Sequence, residues 1–359
     1  MKIAVLGGGN GSYAAAVDMS EAGHEVRFWR RDAAALAPVL ESGTITVRDF
    51  KGVRDVKIAK PTTDLGEAVR GAELIVAPVP AFAQEDLAAA LAPHLTDGQV
   101  IYLPPGTFGS YLMMKVLRAK GCKADVAIAE TGTLPWLTRK RGPNEVAITT
   151  RATRLPTGVF PARLTDKAIK VISAAFPGAI EPVEDALSGA LMNAGPIIHP
   201  PLIVMSAAPI EHFPRWDIHK EGTQPSVRRV HDALDAERIA LREALGYKAP
   251  HFPLADHYKT SNWMYGQLAH DKLVDSGDWH EHLDLKTHRY LQEDVGMGLA
   301  LIVSLGEWAS VPTPVAAGLL AIAGAASGND FRKTGRTMET LGLAGETRES
   351  LSAMLGKGI

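Results

Sequence analysis

A glycine-rich turn near the N-terminus constrains this chain more than any other feature. Residues 2–6, Lys-Ile-Ala-Val-Leu, form a short β-rich apolar run that stops abruptly at Gly7-Gly8-Gly9-Asn10-Gly11-Ser12. An alanine-rich segment of helical composition follows and ends before Gly23, a natural helix C-cap. The pattern Gly7-x-Gly9-x-x-Ser12 between strand and helix is the context in which such a turn binds phosphate. Gly7 permits the tight turn and Gly9 lets a pyrophosphate approach the backbone. The helix behind them offers unpaired N–H groups and its positive dipole end. Asn10 and Gly11 belong to the same turn, and Ser12 takes the place of the usual third glycine. A dinucleotide-binding first domain is expected.

Which dinucleotide depends on the end of the second strand, residues 25–29. An acidic residue there bonds a ribose 2′-hydroxyl, whereas arginine suits a 2′-phosphate. The chain continues Arg30-Arg31-Asp32. Two guanidiniums favour NADP(H), while Asp32, able to turn onto a 2′-hydroxyl, keeps NAD(H) open.

Further candidate strands at 74–79, 100–103, 126–129 and 146–149 alternate with helical patterns such as 85–95 and 110–119. Alternation of this kind implies βαβ units and a largely parallel sheet. From residue 186 the pattern changes to long helical segments, 186–208, 226–245, 285–309 and 313–326, with no convincing strand. Loops 209–224 and 246–284 are rich in Pro, His and aromatic residues. At 359 residues the chain exceeds one comfortable core. The expected plan is an α/β Rossmann-type dinucleotide-binding domain over 1–184, followed by an all-α substrate domain over 185–359.

Composition narrows the class. Lys plus Arg number 38 against 40 for Asp plus Glu, so the net charge of −2 supplies no global field for nucleic acid or an anionic membrane. Cys122 is the one cysteine, which rules out an internal disulfide and a thiolate metal site. It fits a reducing cytoplasm. No signal-peptide apolar stretch fits before the glycine turn. The uncharged run Trp308–Asn329 is interrupted by Pro312 and Pro314 and reads as buried helix rather than a membrane span.

Chemistry-bearing residues concentrate in the second half. His199 precedes Pro200 and Pro201 in an apolar helical stretch, where two prolines are expected to kink or interrupt the helix. A histidine there needs a polar partner. It serves either as a satisfied core residue or as an acid–base group. Asp294 opens a second buried-looking stretch and is expected to face a partner rather than bulk water. Arg289, five positions earlier, can line the same cleft or make an ordinary ion pair. His270, His280, His282 and His288 form a histidine-rich loop, but no third ligand stands at a convincing spacing, so no metal site is expected.

Together these residues resemble the opine dehydrogenases. The similar features are the Gly-Gly-Gly-Asn-Gly turn, Pro104-Pro105-Gly106, Glu130-Thr131, and Asn193 with His199-Pro200. Gly222-x-x-Pro225-Ser226-Val227 and Asp235-Ala-Glu237-Arg238 continue the series. Arg289-Tyr290 with Glu293-Asp294-Val295, Val311-Pro-Thr-Pro314 and Asp330-Phe-Arg-Lys-x-Gly335-Arg336 complete it. They run in order across nearly the whole chain. The resemblance implies an NAD(P)H-dependent reductive condensation of a 2-oxo acid with an amino acid or amine. It implies His199 and Asp294 as a catalytic pair, with Arg289, Asn193 and Thr131 as substrate-binding residues and Pro80 beside the cofactor. It allows a homodimer. Ser12 and Arg30 depart from the NAD-using pattern. The rival readings are a reductase of the 2-dehydropantoate or glycerol-3-phosphate dehydrogenase type, which depends on a catalytic lysine absent from these motifs, and a non-catalytic NADPH-binding sensor.

Overall fold

The run Lys2–Leu6 (β1) buries Ile3, Ala4, Val5 and Leu6 completely, as a strand covered on both faces must. The computed structural model describes residues 1–259, 263–266 and 268–359. It divides into two compact units: Met1–Val79, Ala83–Ala190 and Ala353–Ile359 form the first, and Pro80–Phe82 with Leu191–Ser352 form the second.

In the first unit β1 is joined by β2 (Glu25–Trp29), β3 (Thr44–Asp49), β4 (Gly52–Lys57), β5 (Lys60–Thr62), β6 (Leu74–Val76), β7 (Val100–Leu103) and β8 (Ala127–Thr131). Then follow β9 (Trp136–Gly142), β10 (Glu145–Arg151), β11 (Leu155–Phe160) and β12 (Ile180–Pro182). The main sheet has the order β12-β11-β8-β7-β6-β1-β2-β5. It is parallel from β8 to β5, and β11 returns antiparallel to β8. The largely parallel sheet expected from the sequence is therefore present. The chain leaves β1 towards β2 on one side and comes back to β6 on the other. Gly7, directly after β1, thus stands at the switch point where open α/β sheets bind ligands.

A second sheet of order β4-β3-β10-β9 was not legible, and the 146–149 strand belongs to it rather than to the main sheet. Charges tie this sheet to the Asn10–Glu21 helix. Arg151 bridges Asp18 and Asp49, each at 2.7 Å, and Arg54 joins Asp49 to Glu21. The β9–β10 hairpin is held at the same helix's first turn, where Tyr13 Oη donates to the Pro143 carbonyl at 2.8 Å.

The second unit is built of helices. The expected 186–208 helix is in fact three: Ala186–Ala190, Gly195–Met205 and Ala207–His212. The break falls before Gly195 and at Ser206, and the helix runs on through Pro200 and Pro201 instead of stopping there. The Ile198 carbonyl accepts from His231 Nε2 at 2.9 Å. The 285–309 segment is a π-helix, Tyr290–Leu299, continued by an α-helix, Ala300–Ala309. A two-residue pairing of Trp216–Asp217 with His280–Glu281 corrects the expectation of no strands. Residues 260–262 and 267 of the expected 246–284 loop lie outside the described residues. The uncharged run is split between Ala300–Ala309 and Pro314–Ser327, and among the described residues no helix is long and apolar enough to cross a membrane.

Where the sequence puts the domain boundary at 184/185, the compact units divide after Ala190, because the short Ala186–Ala190 helix is packed on β11. A Cβ on Gly158 would stand 2.0 Å from the Asp185 carbonyl oxygen and 2.9 Å from the Gly189 nitrogen. Neither is a movable side chain. Gly158→Ala is therefore expected to destabilise the protein by about 1–3 kcal/mol or more in chemical denaturation. Wild-type stability in that variant would contradict the packing.

Candidate active site

In the first unit the glycine turn follows β1 directly and leads into the Asn10–Glu21 helix. Gly7 has φ +115°, in the region that favours glycine, and a Cβ there would lie 2.7 Å from Ser12 Oγ. That hydroxyl is buried and donates to the Leu6 carbonyl at 3.2 Å, so serine fits the third-glycine position with its polar atom satisfied. Gly9 faces open space, with no atom within 4 Å of the place a Cβ would take, while Gly11 packs beneath Leu134 and Pro78. The open backbone at Gly9, ahead of a helix N-terminus, fits a dinucleotide's pyrophosphate. Asn10 is engaged elsewhere: its Oδ1 accepts from the Lys140 N–H at 2.9 Å.

Beyond β2, Arg30 runs across Gly8, where a Cβ would meet its Nε at 2.5 Å. Its Nη1 donates to Tyr13 Oη at 3.3 Å and to the Ala35 carbonyl at 3.2 Å. Arg31 is exposed. Asp32 is the N-cap of the Ala33–Ser42 helix, accepting from the Ala35 N–H at 3.0 Å. Its carboxylate is thereby held at the helix end.

In the second unit the Gly195–Met205 helix lies against the π-helix, and glycines set the distance. A Cβ on Gly195 would stand 2.2 Å from Asp294 Oδ1, and one on Gly298 2.1 Å from Pro196 Cγ. At that separation His199 Nδ1 reaches Asp294 Oδ2 at 2.8 Å, joining residues 95 apart in sequence. The His199 ring also stacks on Tyr290, with centroids 3.7 Å apart and planes 7° apart. Tyr290 Oη in turn meets His219 Nε2 at 3.2 Å. A π-helix bonds residues five apart, so Arg289, its N-cap, and Asp294 stand one turn from each other along one side.

Sequence reasoning passed over Glu293, which is buried beside Asp294. Its Oε1 accepts from the Ala81 N–H at 3.1 Å, and Arg336 Nη2 donates to the Ala81 carbonyl at 3.0 Å. Ala81, directly after Pro80, is thus held through both its N–H and its carbonyl. Two adjacent acids beneath a histidine were the available signal. Burial pushes Asp294 up to about 7, against the pull of Arg289. Burial and the charge of Asp294 raise Glu293 to about 7 as well. Arg289 reaches solvent, yet the protein around it still penalises its charge. Glu293, Tyr290 and Asp294 more than offset that penalty and hold the guanidinium above its usual value.

The other predicted residues have local structural partners. Asn193 is buried and its Oδ1 accepts from the Gly195 N–H at 3.0 Å, fixing the start of the His199 helix. Thr131, in the first unit, donates its hydroxyl to the Pro156 carbonyl at 2.8 Å. His282 Nδ1 lies 3.3 Å from the Pro214 carbonyl, His288 packs edge-on against Tyr290, and His270 lies edge-on to Tyr258. His280 is exposed on its short strand. Among the described residues no group of three or more His, Cys, Asp or Glu is placed to hold a metal ion.

A buried acid with a raised pKa favours the folded state in its protonated form, so its ionisation costs stability as pH rises from about 4 towards 7. Glu293→Gln keeps an acceptor for Ala81 and removes that cost. Its melting temperature is expected to gain on wild type progressively between pH 5 and pH 8, in thermal scans at matched ionic strength. A pH-independent difference would show that Glu293 ionises normally.

Comparison with known proteins places these features. Residues 182–327 match the family model described as NAD/NADP octopine/nopaline dehydrogenase, alpha-helical domain. Residues 2–117 match that of the NAD-dependent glycerol-3-phosphate dehydrogenase N-terminus. An opine dehydrogenase of Arthrobacter sp. (strain 1C) is 32% identical over 351 residues, covering 96% of both chains. An octopine dehydrogenase solved with NADH and agmatine has a TM-score of 0.74 at 20% identity, covering 100% of this chain and 98% of the other. An NADP+-bound yersinopine dehydrogenase has a TM-score of 0.66 at 15% identity, with 99% and 98% covered. Both share the fold of a Rossmann-type domain followed by an all-helical one. With a full-length relative above 30% identity and the family's helical domain in its second half, the chain belongs to the opine dehydrogenases, a family of NAD(P)-dependent enzymes.

Proposed function

We propose that this enzyme uses NADPH to condense a 2-oxo acid with the amine of an amino acid or related amine, giving a secondary amine, and catalyses the reverse oxidation at the CH–NH bond. The observation that carries the reading is the His199–Asp294 pair at 2.8 Å, with the Arg289 cation one π-turn away. Asp294 accepts from Nδ1–H and so leaves Nε2 as the working nitrogen. His199 takes a proton from the substrate ammonium, and the neutral amine adds to the carbonyl carbon. The imidazolium then returns that proton to the carbinolamine hydroxyl, which departs as water as the nitrogen lone pair forms the C=N bond, leaving a protonated imine (iminium) ready to accept a hydride. Arg289 holds a substrate carboxylate by paired charge-assisted bonds and orients the carbon to be reduced. Gly7–Ser12 would hold the pyrophosphate of a nicotinamide dinucleotide, which when bound would supply the hydride. The relatives support the substrate class, since structures of octopine dehydrogenase hold L-arginine or pyruvate with NADH. The NADPH preference rests on Arg30 and Arg31, with Asp32 committed to a helix cap.

The test is NADPH oxidation over a matrix of 2-oxo acids and amino acids. Turnover is expected only with both substrates present, and oxidation by oxo acid alone would assign the chain to the simple reductases. His199→Ala should lower kcat by about 10²–10⁴-fold with NADPH binding unchanged. Arg289→Ala should raise the KM of the oxo acid about tenfold or more and leave the dissociation constant of NADPH as it was. Wild-type kinetics in either variant would remove that residue from the mechanism.

A further inference from the structure

Around Tyr13, on the first turn of the helix that follows the glycine turn, two cations converge. Lys140 Nζ, from β9, stands 3.9 Å from the centroid of the Tyr13 ring, and Arg30 Nη1, from the end of β2, lies 3.3 Å from its hydroxyl. The Lys140 backbone is anchored to the turn through Asn10, and the hairpin is held down by the Tyr13–Pro143 bond. The arrangement is therefore built rather than a chance of two flexible side chains.

These cations lack what their neighbours have. Arg54 and Arg151, on the same small sheet, are each paired with two carboxylates. Arg30 bonds only neutral oxygens, Tyr13 Oη and the Ala35 carbonyl, and Lys140 makes no ion pair among the described residues. Burial, and after it the charge of Arg30, push the Lys140 ammonium down to about 8. Two cations brought to one ring in a half-buried place, with only neutral partners, form a candidate anion site. The nearest carboxylate in sequence to Arg30, Asp32, accepts from the Ala35 N–H as the cap of its helix.

We propose that Lys140, with Arg30 and Arg31, recognises the 2′-phosphate of NADP(H), acting as the specificity residue contributed by the β9–β10 hairpin. The inference rests on the NADPH reading above and adds to it a residue from outside the β1–β2 motif. A dinucleotide whose pyrophosphate sits on the glycine turn places its adenosine ribose by the end of the second strand. The Arg30 guanidinium is there, and Lys140 faces it across Tyr13. A dianionic phosphate monoester offers enough oxygens to bond Lys140 and Arg30 together, with the exposed Arg31 next in sequence free to join them.

The experiment is equilibrium binding of NADPH and NADH to the full-length enzyme and to Lys140→Met, which keeps the alkyl contact with Tyr13 but not the charge. Lys140→Arg serves as the charge-retaining control. NADPH affinity is expected to fall about tenfold to hundredfold in Lys140→Met, with NADH affinity unchanged and with Lys140→Arg close to wild type. An NADPH-preferring wild type whose preference survives Lys140→Met overturns the role of Lys140 and leaves the cofactor reading standing. Equal loss of both cofactors also overturns it, since that is the result of a merely structural lysine. A wild type that binds NADH as tightly as NADPH overturns the cofactor reading, and this inference with it.

Discussion

The second unit depends on how closely the Gly195–Met205 helix approaches the π-helix at Tyr290–Leu299. Two hydrogens in place of side chains, at Gly195 and Gly298, allow it. Because the helices nearly touch, a histidine and an aspartate 95 residues apart share a bond of 2.8 Å, and the tyrosine at the head of the π-helix lies flat on the imidazole. The π winding matters as much as the contact. In an α-helix, residues five apart diverge around the axis, whereas π hydrogen bonding stacks them. Arg289, Asp294 and the imidazole thereby become one constellation.

The same packing sets the electrostatics. Burial raises both Glu293 and Asp294 to about 7, and the charge of Asp294 adds to the rise at Glu293. The Asp294 carboxyl that bonds His199 Nδ1 is therefore one whose ionisation is disfavoured by its surroundings. Glu293 is directed the other way, to the Ala81 peptide, which Arg336 grips from its carbonyl side. Arg336 also moderates the charge on Glu293. One acid bonds the His199 ring and its neighbour secures the segment Pro80–Phe82.

Much of this was readable in the residues. The apolar run before Gly7, the glycine spacing and the acid–histidine candidates are local patterns, and the structure gives each a definite place. Ser12 was legible as a tolerated substitution, and its bond to Leu6 supplies the reason. What stayed hidden depended on long-range context. The second sheet is made of strands with many exposed or half-exposed positions, such as β4, so no continuous apolar run marked them. The prolines after His199 suggested a broken helix, but the helix starts at Gly195, where Asn193 takes the Gly195 N–H, and ends before Ser206, with Pro200 and Pro201 inside it. A π-turn carries no sequence signature, so the alignment of Arg289 with Asp294 was open. Glu293 and Lys140 were passed over because one looks like a neighbour of a better candidate and the other like a surface lysine.

The central claim is that Asp294 holds His199 in the Nδ1–H form, leaving Nε2 to exchange protons with substrate. The direct measurement is long-range ¹H–¹⁵N NMR of enzyme labelled at histidine nitrogens, with the His199 signals assigned by their loss in His199→Gln. The account predicts a protonated Nδ1 and an unprotonated Nε2 in the neutral ring, with that preference lost in Asp294→Asn. A neutral His199 carrying its proton on Nε2, or one indifferent to Asp294→Asn, would contradict it.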